Sequence, residues 1–185
     1  FLYRMKSSQD LFVGIDPGKS GALVVLNSQG ELMEIHVTPL IGKEYDKHKM
    51  AQILSGLQKF ITHVALEDVH AIQGPAGNSS NFEFGRGKGL WEMALCALHI
   101  PHTMIQAKEW QKHAWEGVPK QTLPTKRISK TGAAVEKVDT KATSLIAAKR
   151  LFPYVKLTAT ERSTAPHDGI VDALLIAEVC RRKFK

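Results

Sequence analysis

Four carboxylates stand where a chain with purely structural needs would not put them. Asp16 closes the apolar run LFVGI, and Glu67 ends a second apolar run inside ALEDVH. Asp168 and Asp172 fall four residues apart in HDGIVDALLIAE, which places both on one face of a helix near its N-terminal end. Carboxylates at the ends of separate elements are hard oxygen ligands suited to Mg²⁺, and two-metal hydrolysis of a phosphodiester needs several of them to converge. Gathered without a cation they would repel one another, so the set as a whole implies metal. Local roles compete for each residue singly. Asp168 suits a helix N-terminus through the helix dipole, and Asp16 suits a turn before Pro17. Asp68, on the opposite strand face from Glu67, is read as peripheral.

The segment VGIDPGKSGALVVL also contains Gly-Lys-Ser, the end of a phosphate-binding P-loop. A P-loop needs a glycine five positions before Gly18, and that position is Val13. It must also lead from a strand into a helix, whereas GALVVL after Ser20 reads as another strand. A hairpin presents no helix N-terminus to an anion, so the segment argues for a metal ligand and against a nucleotide cofactor.

The elements that would position these acids follow from periodicity. Leu11–Asp16, Ala22–Leu26 and Glu31–Thr38 predict a three-stranded meander with turns at Gly18–Gly21 and NSQG. DKHKMAQILSGLQKFI has helical spacing of apolar residues, and His63–Val69 predicts a further strand. A Gly-, Asn- and Ser-rich loop, AIQGPAGNSSNFEFGRGKG, is expected to lead into a helix through LWEMALCALHI. HTMIQA predicts a strand, and KEWQKHAW an amphipathic segment. EGVPKQTLPTKRISKTGAAVEKVD lacks apolar periodicity and predicts a mobile basic loop before two final helices. The order is that of a mixed α/β domain without repeats.

Length and composition agree with one domain. The chain has 185 residues, 43% of them hydrophobic, and a net charge of +7, with an isoelectric point near 9.4. Such charge favours a polyanionic partner, either nucleic acid or an acidic membrane surface. No apolar run approaches the roughly 20 residues of a bilayer span, which predicts a soluble protein. Residues 1–10, FLYRMKSSQD, are expected to be a linker or the remnant of a removed targeting segment, with the domain covering 11–185. Cys96 and Cys180 are too few for a disulfide framework and are expected to be buried thiols. HIPH at His99–His102 with two isolated cysteines does not supply the usual spacing of a zinc site. The terminal RRKFK is expected to be a solvated helix end favoured by the dipole.

GIDPGKSGA, LEDVH, NSSNFEFGRGKGL and HDGIVDALLIA, in that order, resemble the RuvC family of Holliday-junction resolvases, within the RNase H-like superfamily. The likeness runs from about Leu11 to Arg182 and is nearest to plant chloroplast members, which implies a chloroplast location. It implies an α/β RNase H-like fold whose central mixed five-stranded sheet, its first three strands antiparallel, is flanked by helices. It implies two Mg²⁺ per active site, with Mn²⁺ as a substitute, and symmetric paired nicking of four-way junction DNA by a homodimer.

Carried over by position, Asp16 resembles the first-strand metal ligand, Glu67 the strand-end ligand for the second metal, and Asp172 the helix carboxylate that completes the site. The family places an acid or histidine three residues before that last aspartate; here Gly169 occupies the position, leaving Asp168 as the expected ligand and His167 as a candidate for water activation or ligation. His70 stands where the family carries an aromatic wedge, and the loop Ile72–Asn81 shares that candidacy. Loop residues from Gln73 to Ser80 are candidates for base contacts. Gly85, Gly87 and Gly89 are expected either to bring the helix entry close to a phosphate backbone or to form a plain flexible loop, and Arg86 and Lys88 beside them are candidate DNA contacts. Lys141 resembles a lysine holding phosphates of the cut strand, and the Lys120–Lys137 stretch, with Lys126, Arg127 and Lys130, is expected to track phosphates.

Three rivals remain open from sequence. An actin-like or sugar-kinase ATPase would need two copies of the fold and about twice the length. A non-catalytic nucleic-acid-binding module would be expected to lack part of the acid set. A nuclease acting on structured RNA shares every feature above.

Overall fold

The computed structural model describes residues 10–69, 78–128, 132 and 134–185, with backbone alone at 78–81, 126 and 127. Strands β1 (Leu11–Asp16), β2 (Ala22–Asn27) and β3 (Leu32–Val37) form the expected meander. A ribbon of two-residue strands, β4 (Leu40–Ile41) and β5 (Glu44–Tyr45), then precedes helix α1 (Lys47–Leu57). Strand β6 (Ile61–Glu67), helix α2 (Asn78–Ala97), strand β7 (His102–Ile105) and helix α3 (Ala107–Ala114) follow. A hairpin of β8 (Thr122–Ile128) and β9 (Ala134–Val138) leads to α4 (Thr140–Leu151) and α5 (Asp168–Phe184).

The main sheet has the order β3-β2-β1-β6-β7. Its first three strands are antiparallel, while β1–β6 and β6–β7 are parallel, giving the expected mixed sheet of five. Alternation along the strands divides the core into two layers. Val13 and Ile15 of β1, with Val64 and Leu66 of β6, pack under α1 and α2 together with Trp91 and Leu95. Phe12 of β1 and Ala65 of β6 point the other way, toward α5, α3 and α4. Gly14 lies on this second face, and a side chain there would overlap the carbonyl of Ala173 and the backbone of Ala177. Glycine on the strand facing alanines on α5 therefore lets helix and sheet approach closely.

Several expectations are corrected. Helix α2 starts at Asn78, twelve residues before Leu90, and runs through Gly85, Gly87 and Gly89. Each glycine costs a helix about 1 kcal/mol relative to alanine, so propensity pointed to a loop. Burial of Trp91 and Leu95 anchors the helix, and Gly87 packs against the Pro17 carbonyl and the Tyr45 hydroxyl, where a methyl group would overlap both. That close approach is therefore made within the chain. The basic stretch after α3 is not a structureless loop, since it contains the β8–β9 hairpin, whose described side chains are largely exposed. Strand β6 begins at Ile61 and ends at Glu67, two residues earlier at each end than periodicity suggested. Cys180 is buried, but Cys96 is exposed because it lies on the solvent side of α2.

Every residue of Gly169–Cys180 in α5 except the half-buried Asp172 is buried, so Ile170–Val179 packs inside the domain. Among the described residues no helix is long and apolar enough to cross a membrane.

Candidate active site

Parallel pairing brings two of the acids together. Ile15 of β1 is in register with Leu66 of β6, so Asp16 and Glu67 end adjacent strands at the same edge. Their parity with Phe12 and Ala65 puts both on the face that carries α5. Asp168 and Asp172 enter from that helix, whose first turn is held close to the β1–β2 turn: a side chain on Gly169 would overlap Ser20 and Gly21. Asp16, Asp168, Asp172 and Lys141 line one cleft of about 430 Å³ together with Gly18–Gly21, Glu83 and Phe84.

Electrostatics bind the acids into one system. Burial pushes the Asp172 carboxyl up to about 8, helped by repulsion from Asp16 and Glu67 and opposed by a hydrogen bond with Ser144. Burial likewise raises Glu67 to about 7, while the Trp110 indole opposes the shift and Asp16 adds to it. Asp16 is raised by burial against the pull of the Gly18 amide and the nearby His167. Asp16 thus fills its turn role as well, with Oδ1 accepting from Gly18 N at 3.1 Å.

The outer acid differs. Asp168 Oδ2 lies 2.5 Å from Lys141 Nζ, with the two side chains 54% and 73% exposed. His167 caps α5, its Nδ1 accepting from Ile170 N at 3.3 Å, which commits that nitrogen to the helix start. Among the described residues, no three His, Cys, Asp or Glu side chains are gathered into a ready-made metal cage. The donor set nonetheless suits a hard divalent cation. Three half-buried carboxylates, each raised above its usual range by desolvation and each repelled by another acid, are stabilised together by positive charge between them.

The cations expected to meet DNA are partly engaged inside the chain. Arg86 Nη1 pairs with Glu44 at 2.6 Å and reaches Glu83 at 3.8 Å, its guanidinium near the Tyr45 ring. Lys88 pairs with Asp68, which fixes that acid on the far side of the sheet, as its parity required. Ser80 lies on α2 as backbone only, and Lys126 and Arg127 lie on β8 in the same way; His70, Gln73 and Lys130 fall outside the described residues. The turn lysine of the Gly-Lys-Ser segment, Lys19, bridges to Glu83 at 2.9 Å. Strand β2 follows that turn, so the P-loop reading fails in its structural context.

Sequence reasoning missed the groups that hold the half-buried acids. Trp110 of α3 donates to Glu67 Oε1 at 2.9 Å, and Trp115 at the end of α3 donates to Ser144 Oγ at 3.2 Å. Their only signal was a pair of tryptophans in KEWQKHAW, five residues apart on an amphipathic segment.

No protein-family model matches the chain, and no curated protein matches it either. Among solved structures it is similar to Thermus thermophilus RuvC in complex with Holliday junction substrate, at 17% identity and a TM-score of 0.56, over 95% of this chain and 94% of that one. The chain has the RuvC fold, of RNase H-like type. A second Thermus thermophilus RuvC structure matches at 18% identity and the same TM-score of 0.56, covering 94% of this chain and 93% of its own. Here the acids at the end of β1 and on α5 line the cleft, while Glu67, at the end of the adjacent strand β6, lies beside Asp16 outside its lining.

Proposed function

We propose that this protein is a metal-dependent endonuclease that resolves four-way DNA junctions by paired symmetric nicks, leaving 5′-phosphate and 3′-hydroxyl ends. The observation that carries the proposal is the convergence of half-buried Asp16, Glu67 and Asp172 on one face of a fold shared, over nearly its whole length, with a RuvC bound to Holliday junction substrate.

Asp16, Glu67 and Asp172, with Asp168 at the rim, would hold two Mg²⁺, with Mn²⁺ as a substitute. Bound there, the cations would lower the pKa of a water and neutralise charge on the leaving 3′ oxygen. The chain's own part is positional. Strand ends and a helix fixed by close backbone packing hold the three inner carboxylates without mobile loops, and the cleft above them admits a phosphodiester. Lys141, exposed and paired with Asp168, is placed to exchange that partner for a phosphate of the cut strand. Exposed Lys137 on β9 and Lys120 just before β8 extend positive charge beyond the cleft, where phosphates are held without reading sequence.

Symmetric nicking requires a two-fold assembly, so the proposal includes a homodimer. Likeness of the acidic motifs to the plant chloroplast resolvase, monokaryotic chloroplast 1, supports a chloroplast setting on sequence grounds alone.

The test is cleavage of synthetic four-way junction, forked DNA, plain duplex and structured RNA, with Mg²⁺ or chelator, by the wild type and Asp16→Asn. The expected result is paired nicks in the junction that need metal, with a variant that binds but does not cut. Equal cutting of duplex would remove junction selectivity, and normal cutting by Asp16→Asn would refute the site.

A further inference from the structure

Two tryptophans on one short helix reach the two most strongly perturbed acids from behind. Trp110, 1% exposed, donates its indole N–H to Glu67 Oε1 at 2.9 Å. Trp115, at the C-terminal end of α3, donates to Ser144 Oγ at 3.2 Å, and the hydroxyl of Ser144, itself 1% exposed, acts on the Asp172 carboxyl in favour of its ionised form. The two rings meet edge to face, with centroids 6.4 Å apart and an interplanar angle of 81°.

The donor inventory fixes the sense of this chain. An indole N–H can only donate, and a serine hydroxyl has one proton. With its oxygen accepting from Trp115, Ser144 has its single proton free to favour the ionised form of Asp172, the form that a cation would bind. Glu67 gains a neutral donor on Oε1, with Oε2 left clear of the indole. Neither donor carries charge, so neither competes with a cation for the acid, as a lysine or arginine would. Glu67 arrives on a strand and Asp172 on a helix; the group facing Glu67 is on α3, and the one facing Asp172 is Ser144 on α4, held in turn by Trp115 just past the end of α3. Partners of this kind orient ligating groups and commonly change metal affinity ten- to a hundred-fold when removed.

We propose that α3 is a positioning brace for the metal site, with Trp110 orienting Glu67 and the Trp115–Ser144 pair orienting Asp172. The inference rests on the metal-dependent reading above. It makes Trp110, Trp115 and Ser144 positioning residues that touch neither substrate nor metal.

The experiment is Mn²⁺ binding to the full chain, measured as loss of the free-ion electron paramagnetic resonance signal, for wild type, Trp110→Phe, Ser144→Ala and Trp91→Phe. Trp91 is a control of equal bulk: it is fully buried on the other sheet face, and its indole N–H has no hydrogen-bond partner among the described residues. Mn²⁺ dissociation constants are expected to rise about ten-fold in Trp110→Phe and in Ser144→Ala, and to stay within about two-fold of wild type in Trp91→Phe. Thermal melts identify any variant that fails to fold, and Ser144→Ala, which deletes one buried oxygen, then carries the test. Wild type that binds Mn²⁺ while both brace variants bind equally well overturns the brace alone. Wild type that binds no Mn²⁺ overturns the proposed function and the brace with it.

Discussion

The candidate site has an inner and an outer set of acidic groups, and they are built on opposite principles. Asp16, Glu67 and Asp172 are half-buried, raised above their usual range by desolvation, and faced by neutral groups: a backbone amide, an indole and a hydroxyl. Asp168 is exposed and already paired with Lys141, a partner still more open to water. Burying like charges without a counter-ion costs stability, and such a cost persists where a ligand removes it. A solvent-exposed ion pair contributes little to stability and exchanges its partner readily. Under the proposed function the inner set would hold the cation, while the outer pair would change partners when substrate arrives.

Substitutions should separate the two sets. The largest effect is expected from Glu67→Gln, which keeps shape and removes the charge: junction cleavage should fall roughly a thousand-fold or more, since the loss reaches metal binding itself, measured by single-turnover cleavage in Mg²⁺. Survival of more than a tenth of the rate would move Glu67 out of the inner set.

Next in size is a gain in stability. The carboxyl of Asp172 sits near 8 in the folded chain and near 3.8 when unfolded, so between those values the folded form keeps a proton that the unfolded form releases. In chelator, stability should therefore decline as pH rises across that window. Asp172→Asn should flatten the decline and add on the order of 2–4 kcal/mol at neutral pH, measured by urea unfolding at several pH values. Equal slopes for variant and wild type would break the contrast from the inner side.

Lys141→Ala should shift unfolding by less than about 1 kcal/mol, as expected for an exposed pair. Cleavage should fall about ten-fold at low ionic strength, the loss appearing mainly in substrate affinity and shrinking as salt rises. Smallest of all, Lys137→Ala on the hairpin should lower the salt slope of junction binding by about one, without changing the single-turnover rate at saturation.

The inner acids were legible in the sequence because each interrupts an apolar pattern: Asp16 and Glu67 end runs that strands require, and Asp172 faces the start of a helix otherwise buried. The sheet was legible for the same reason, as its strands are short, apolar and bounded by turn residues. Helix α2 was hidden because its glycines lower intrinsic propensity, while the packing that overrides it comes from Tyr45 and Pro17, more than 30 residues away in sequence. The hairpin after α3 was hidden because both strands are exposed and so carry no burial alternation. Trp110 and Ser144 were invisible as site residues because the acids they hold lie on other elements, and no local pattern encodes a hydrogen bond spanning 43 positions. His167 read as a candidate ligand from chemistry alone; its geometry adds a helix cap, a role available to any acceptor at that position.

The most direct test of the inner set as a metal site is a crystal structure of the protein grown with Mn²⁺, read from anomalous scattering at the manganese edge. The account predicts Mn²⁺ bounded by Asp16, Glu67 and Asp172, with the Trp110 and Ser144 hydrogen bonds intact behind them. Manganese seated elsewhere on the chain, with those three carboxylates free of it, would contradict the account.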